Sequence, residues 1–214
     1  MKKFMMAAVA LICMTMTSVA LVSCGDDDND STTPAQKTPN TYEVTVTAIL
    51  HQCTSEFFNL DVEYTDADGK KNTVTVKAGD QSEEMSEASK KVYQESMGFV
   101  ADLLEKCTQE EKADFDKYIV KNFKITVPEG KSCSFAGTIK ARKDFTISSE
   151  YVNIITPMVF ATCKYVSGDN PNKGIAGAKG NTKASAYFGV ETAHIDEAIE
   201  NLDGRSAGKA AINL

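Results

Sequence analysis

Alternation of apolar and polar residues becomes regular at Tyr42, where Tyr42, Val44, Val46, Ala48 and Leu50 interleave with Glu43, Thr45 and Thr47. A period of two puts the apolar side chains on one face, so the segment reads as a half-buried β-strand. Phe58, Leu60, Val62 and Tyr64 repeat the pattern against Asn59, Asp61, Glu63 and Thr65. After Asp66-Ala67-Asp68-Gly69 it resumes with Val74, Val76 and Ala78. Two alternating runs around an Asp-Gly turn predict a hairpin. The period then lengthens: Met85, Ala88, Val92, Phe99 and Leu103, with Tyr93, Val100 and Leu104, recur at three and four, predicting an amphipathic helix from about Ser82 to Lys106. Thr108-Gln109-Glu110-Glu111 has capping-box spacing, so a second, shorter helix is expected to run to about Tyr118.

Strand periodicity returns with Phe123, Ile125 and Val127, stops at Pro128-Glu129-Gly130, and resumes with Cys133, Phe135, Ile139 and Ala141, which predicts a second hairpin. Val152 to Val166 is apolar on both faces and reads as a long central strand, with Pro157 demanding a bulge, an edge position or a break. Ser167 to Asn181, with Gly168, Gly174, Gly177 and Gly180, reads as a mobile loop. A further strand is expected through Ala184, Ala186, Phe188 and Val190, a short helix through Ile195, Ala198, Ile199 and Leu202 closed by Gly204, and a terminal strand from Ala210 to Leu214. The pattern as a whole predicts an α+β fold: an antiparallel β-sheet or β-sandwich forming a single domain over 42–214, with a two-helix insertion at about 82–119.

The first forty residues follow a different logic. Met1-Lys2-Lys3 is a short positive segment, and Phe4 to Val22 is an apolar run softened only by Thr15, Thr17 and Ser18. That is the layout of a secretory signal peptide, although a run of this length also nearly suffices to cross a bilayer as an anchor. The run ends in Leu21-Val22-Ser23-Cys24-Gly25, which resembles the lipobox of bacterial lipoproteins. The resemblance implies cleavage after residue 23 and attachment of diacylglycerol and a fatty acid such as palmitate to Cys24. Each buried methylene adds about 0.8 kcal/mol, so two or three acyl chains hold a protein on a membrane with no transmembrane helix.

Directly after Cys24 come Asp26, Asp27, Asp28 and Asp30. This run resembles the acidic export signal of surface lipoproteins of the Bacteroidota, which implies an outer-membrane protein facing outward. By its charge alone the run is a self-repelling spacer, which equally suits a periplasm-facing protein. Ser31 to Thr41 holds two prolines and no large apolar residue, so 24–41 reads as a lipidated acidic tether.

Composition narrows the partners. The 214 residues are 42% hydrophobic and 25% charged, with a net charge of -7. Removing 1–23 takes away Lys2 and Lys3 and no acid, leaving 21 bases against 30 acids, or -9. An acidic chain without a Lys/Arg cluster lacks the electrostatic footprint for nucleic acid. The expected partners are the membrane, through the N-terminal lipid, and an extracellular glycan or protein. There is no Trp, so a stacking platform for sugars is weakly signalled.

No catalytic motif emerges. Cys13 leaves with the signal and Cys24 is taken by lipid, so Cys53, Cys107, Cys133 and Cys163 are the candidates for two disulfides in an oxidising compartment, or for buried free thiols. Cys133 and Cys163 both fall in strands and are possible neighbours. His51 and Cys53 share a strand face at positions i and i+2, a spacing that permits a Cys/His pair, but a disulfide cysteine beside an exposed histidine is the simpler reading. The two histidines, His51 and His194, are too far apart in sequence to make a zinc pattern, and no Cys-x-x-Cys occurs. Gly130-Lys131-Ser132 lacks the upstream glycine of a phosphate loop, because that position is Ile125. Asp66, Asp68 and Gly69 fit a hairpin turn better than a calcium loop, and Gly174, Gly177 and Gly180 do not make a dinucleotide fingerprint. No cofactor or metal is therefore expected.

The functional expectation is a lipid-anchored envelope protein acting as a binding module, with the Ser167 to Asn181 loop and the exposed face of the helical insertion as contact surfaces. The alternatives are an envelope enzyme whose carboxylates converge only in three dimensions, and a structural or assembly subunit that exchanges a strand at a sheet edge.

Overall fold

The computed structural model of the chain describes residues 37–98, 104–147, 150–169 and 186–214. The expected signal segment, the Cys24 region, the acidic run, the expected end of the long helix and most of the expected Ser167 to Asn181 loop lie outside the described residues. Residues 37–214 form one compact unit.

Strand β1 (Thr41–His51) passes through α1 (Gln52–Ser55), a single turn, into β2 (Phe58–Thr65), which turns back as β3 (Lys71–Val76). Helices α2 (Glu87–Met97) and α3 (Gln109–Phe115) follow, then β4 (Tyr118–Pro128), β5 (Ser132–Ala141), β6 (Tyr151–Ile155) and β7 (Met158–Ser167). The chain closes with β8 (Ala186–Glu191), a 3-10 turn (Thr192–His194), α4 (Ile195–Leu202) and β9 (Ser206–Asn213). The strands build a three-stranded sheet of order β4-β1-β7, a four-stranded sheet of order β3-β2-β5-β9 and a two-stranded ribbon β6-β8, with every pairing antiparallel. The fold is α+β, with strands predominating and a small helical insertion.

Alternation decides what lies between the sheets. Val44, Val46, Ala48 and Leu50 of β1 share one buried cluster with Leu60 and Val62 of β2, Ile125 and Val127 of β4, Phe135 and Ile139 of β5, and Ala207 and Ile212 of β9. The opposite face of β1 carries Glu43, Thr45, Thr47, Ile49 and His51. Its second half is buried too, because Ile49, Val120, Met158 and Phe160 pack under Met85, Tyr93 and Met97 of the helical insertion in a second cluster. Tyr93 and Met97 of the helix and Met85 ahead of it are thus core, covering the outer face of the β4-β1-β7 sheet. At its polar end a hydrogen-bond chain fixes α2: Thr47 Oγ1 lies 3.1 Å from Ser89 Oγ and donates to Asn122 Oδ1 at 3.0 Å, while Ser86 Oγ accepts from Ser89 N.

The turns are made as the sequence directs. The Asp66 carboxylate accepts the amides of Asp68 and Lys70, and Gly69 takes a φ of +80°, a conformation glycine adopts without steric cost. The side chain is spent on the turn, as expected of a hairpin residue. Thr108 and Glu111 form the reciprocal capping box. The edge of β4 is covered by the chain leaving β3: Glu83 N donates to Val120 O, Val120 N to Ser82 Oγ, and Asn122 N to the Glu83 carboxylate.

Four sequence expectations are corrected. The long helix begins at Glu87, capped by Ser86, and not at Ser82, because Ser82 and Glu83 are held on the edge of β4. β4 and β5 are not a hairpin: β4 pairs with β1, and β5 with β2 and β9. Two strands that face each other across a sandwich have the same alternation as two strands side by side, and here Glu129 N on Asn40 O and Gly130 N on Leu214 O anchor the turn that carries the chain between sheets. The segment from Val152 to Val166 is not a central strand: it breaks at Thr156-Pro157, one of the outcomes Pro157 demanded, into β6, in the ribbon, and β7, at the edge of the β4-β1-β7 sheet. Finally, the two expected disulfides are not formed: none of Cys53, Cys107, Cys133 and Cys163 is joined to another cysteine. Cys133 is buried in the core between the sheets and Cys163 packs, half-buried, against the same cluster, whereas Cys53 sits in α1 and Cys107 just ahead of α3.

Candidate functional site

A cleft of about 340 Å³ opens where β1 hands over to α1, lined among others by Gln52, Glu56, Asp114, Lys117, Tyr151 and Asn153. Four separate stretches of chain supply it: α1 with the residues after it, the end of α3 with the link to β4, Ile147, and the start of β6. Phe57, Ile147 and Val152 contribute apolar wall, and the polar groups stand around it.

The frame is fixed from three sides. Thr54 Oγ1 donates to Ile155 O at 2.9 Å and accepts from Ile155 N at 2.8 Å, joining α1 to β6 through both backbone groups of one residue. Gln52 N donates to Lys117 O at 2.9 Å, tying α1 to the start of β4. Arg142 Nη1 donates to Ser55 O at 3.0 Å while its guanidinium forks onto Asp144, which keeps the carboxyl below its ordinary range. Inside the cleft Asn153 Nδ2 donates to Asp114 Oδ2 at 3.0 Å, giving two planar polar groups a set orientation. Tyr151 remains 55% exposed, one of the few large apolar-bodied side chains so open to solvent among the described residues.

The expected disulfide cysteine beside an exposed histidine does not arise, and the Cys/His pair that the spacing permits is not formed either. Cys53 lines the cleft, but burial pushes its thiol up to about 11, so it is protonated at neutral pH and a poor nucleophile. His51 is 0% exposed, beneath the insertion, with Nε2 3.0 Å from Tyr93 Oη and its ring against Phe115 and Tyr118. Burial lowers its pKa to about 3, so the ring is neutral, and Nδ1 has no hydrogen-bond partner among the described residues. Burial likewise raises the Tyr93 phenol. The pair is a sealed element of the core. Cys133, pushed up to about 11 by burial, is a small apolar core residue in effect. Among the described residues no cluster of three metal-ligating side chains occurs.

A second hollow, of about 510 Å³, lies on the outer face of the β4-β1-β7 sheet beside the start of α2. Its floor charges are already matched: Glu43 takes Lys164 at 2.9 Å and Lys124 at 3.9 Å, and the hydrogen bond from Lys164 lowers the carboxyl below its ordinary value. Its charged floor is therefore a less open set of contacts than the cleft offers.

Sequence reasoning found Cys53 but not Gln52, Glu56, Asp114, Lys117, Tyr151 or Asn153. They share no spacing or motif, and only folding brings them together. No described helix is long and apolar enough to cross a membrane. Compared with known protein families, curated proteins and solved structures, the chain matches none of them.

Proposed function

We propose that this chain is a lipid-anchored protein of the bacterial cell envelope, displayed on the outer face of the outer membrane, whose folded unit is a binding module. The observation that carries the anchoring is Leu21-Val22-Ser23-Cys24 at the end of an apolar run opened by Lys2 and Lys3. A small residue before the cut and a thiol after it are what signal removal and lipid transfer require. Asp26, Asp27, Asp28 and Asp30 support outward display. In the folded unit, the cleft at α1 supports binding over catalysis. It is open, its one thiol is held protonated, the buried histidine does not line it, and Asp114 is engaged by Asn153.

The test has two parts. Cells fed an alkynyl palmitate analogue are expected to label the wild-type protein and not the Cys24→Ala variant; equal labelling of both overturns the anchor. Antibody against the folded unit is expected to stain intact cells, and to stain them only after permeabilisation when Asp26, Asp27, Asp28 and Asp30 are replaced by alanine. Staining of the wild type only after permeabilisation overturns surface display and turns the reading to a periplasm-facing module.

A further inference from the structure

The geometry points to a neutral saccharide as the ligand of the cleft formed by Gln52, Glu56, Asp114, Lys117, Tyr151 and Asn153. This inference rests on the reading of the cleft as a binding site and adds its ligand class. Hydroxyl groups both donate and accept, so a polyol is matched by a wall that mixes the two functions. Gln52 offers an amide that does both, Glu56 accepts and Lys117 donates, while Asp114, held through one oxygen by Asn153, has its second carboxylate oxygen as an acceptor. The C–H face of a pyranose is apolar and is met by an aromatic face, and Tyr151 places a ring at this cleft with 55% of its surface open to solvent.

Other ligand classes fit less well. Two carboxylates against one ammonium leave the lining net acidic, which disfavours phosphates, nucleotides and polyuronates. A lipid tail would bury polar groups without partners. The volume, about 340 Å³, lies at the small end of ligand sites, suited to a short saccharide or one stretch of a longer chain. Two features make the wall ready before binding: Asp114 and Asn153 orient each other, and Thr54 clamps the strand that carries Tyr151 and Asn153 to α1. Pre-set groups lower the ordering cost of binding.

The test uses the detergent-solubilised full chain on native gels cast with dextran, laminarin, yeast mannan or galactan, with alginate as the polyanionic control and a dipeptide panel assayed by calorimetry. Retardation by at least one neutral polysaccharide and none by alginate is the expected result. Tyr151→Ala is expected to weaken it about tenfold or more. Tyr151→Phe, which keeps the ring, is expected to stay within about threefold of wild type. Asn153→Ala is expected to weaken it as well. Unchanged near-ultraviolet circular dichroism keeps a folding defect apart from a lost contact. Binding to a neutral polysaccharide that Tyr151→Ala and Asn153→Ala leave intact overturns the inference. Tyr151-dependent binding of alginate or of dipeptides overturns the saccharide class and leaves the cleft as a binding site. No binding of any probe overturns both.

Discussion

Burial of neutral His51 makes the fold acid-sensitive in a calculable way. With the native pKa near 3 and the ordinary value at 6.5, the unfolded chain takes up a proton at His51 below pH 6.5 while the native chain does not. The unfolded state therefore gains on acidification, and stability falls as pH drops from 6.5 toward 3, where the native ring also protonates and the loss levels off. One pKa unit corresponds to about 1.4 kcal/mol, so this residue alone removes about 2 kcal/mol by pH 5 and about 3 kcal/mol by pH 4. His51→Phe abolishes the titration. It leaves the Tyr93 hydroxyl without its partner, at about 1 kcal/mol, and relieves the unpartnered Nδ1, so the variant is expected near wild-type stability at pH 7. Urea unfolding of both proteins at pH 7, 6, 5 and 4 isolates the effect, since the other ionisable groups are common to both and cancel in the difference. The variant is expected to gain about 3 kcal/mol on wild type between pH 7 and pH 4. Parallel pH curves would refute the reasoning, since they require His51 to protonate equally in both states.

Three further changes probe the packing. A Cβ added at Gly137 falls 2.4 Å from Val159 Cγ2 and 3.2 Å from Ala207 Cβ, so Gly137→Ala is expected to cost about 1–3 kcal/mol in urea unfolding, with part recovered when Val159→Ala is added. Thr54→Val removes both hydrogen bonds to Ile155 while keeping the shape, and is expected to cost about 2 kcal/mol and to speed amide exchange in β6 relative to β1. Thr108→Ala breaks the capping box and is expected to cost about 1 kcal/mol, with Thr108→Ser recovering most of it in thermal unfolding.

What the sequence disclosed was periodicity, and what it withheld was partnership. Alternation located β1, β2, β3, β5 and β9, and the Thr108–Glu111 spacing located α3, because these signals are local and the structure uses them locally. The same alternation says nothing about which sheet a strand joins, so β4 and β5 read as neighbours although the turn at Pro128 passes them between layers. Thr47 reads as a solvent-facing residue in an alternating strand, but α2 covers it through Ser89. His51 reads as an exposed strand end for the same reason: the residues that bury it, Tyr93, Phe115 and Tyr118, lie 42 positions or more downstream. The cleft was least legible, since its side chains come from segments with no common spacing and its chemistry exists only once Thr54 and Gln52 have drawn those segments to α1.

The course of β1 sets a load path. Just ahead of its first residue the strand is tied to the β4–β5 turn through Glu129 N on Asn40 O, and the same turn is tied to the last residue of the chain through Gly130 N on Leu214 O. At its last residue it delivers Gln52 to the cleft, ten residue steps or about 33 Å away. A pull between residue 37 and the cleft therefore runs along β1, which is hydrogen-bonded to β4 on one side and β7 on the other. Those bonds lie across the strand, so traction along it loads them together in shear instead of peeling them one at a time. Whatever the cleft holds, tension is carried by the most deeply embedded strand of the molecule.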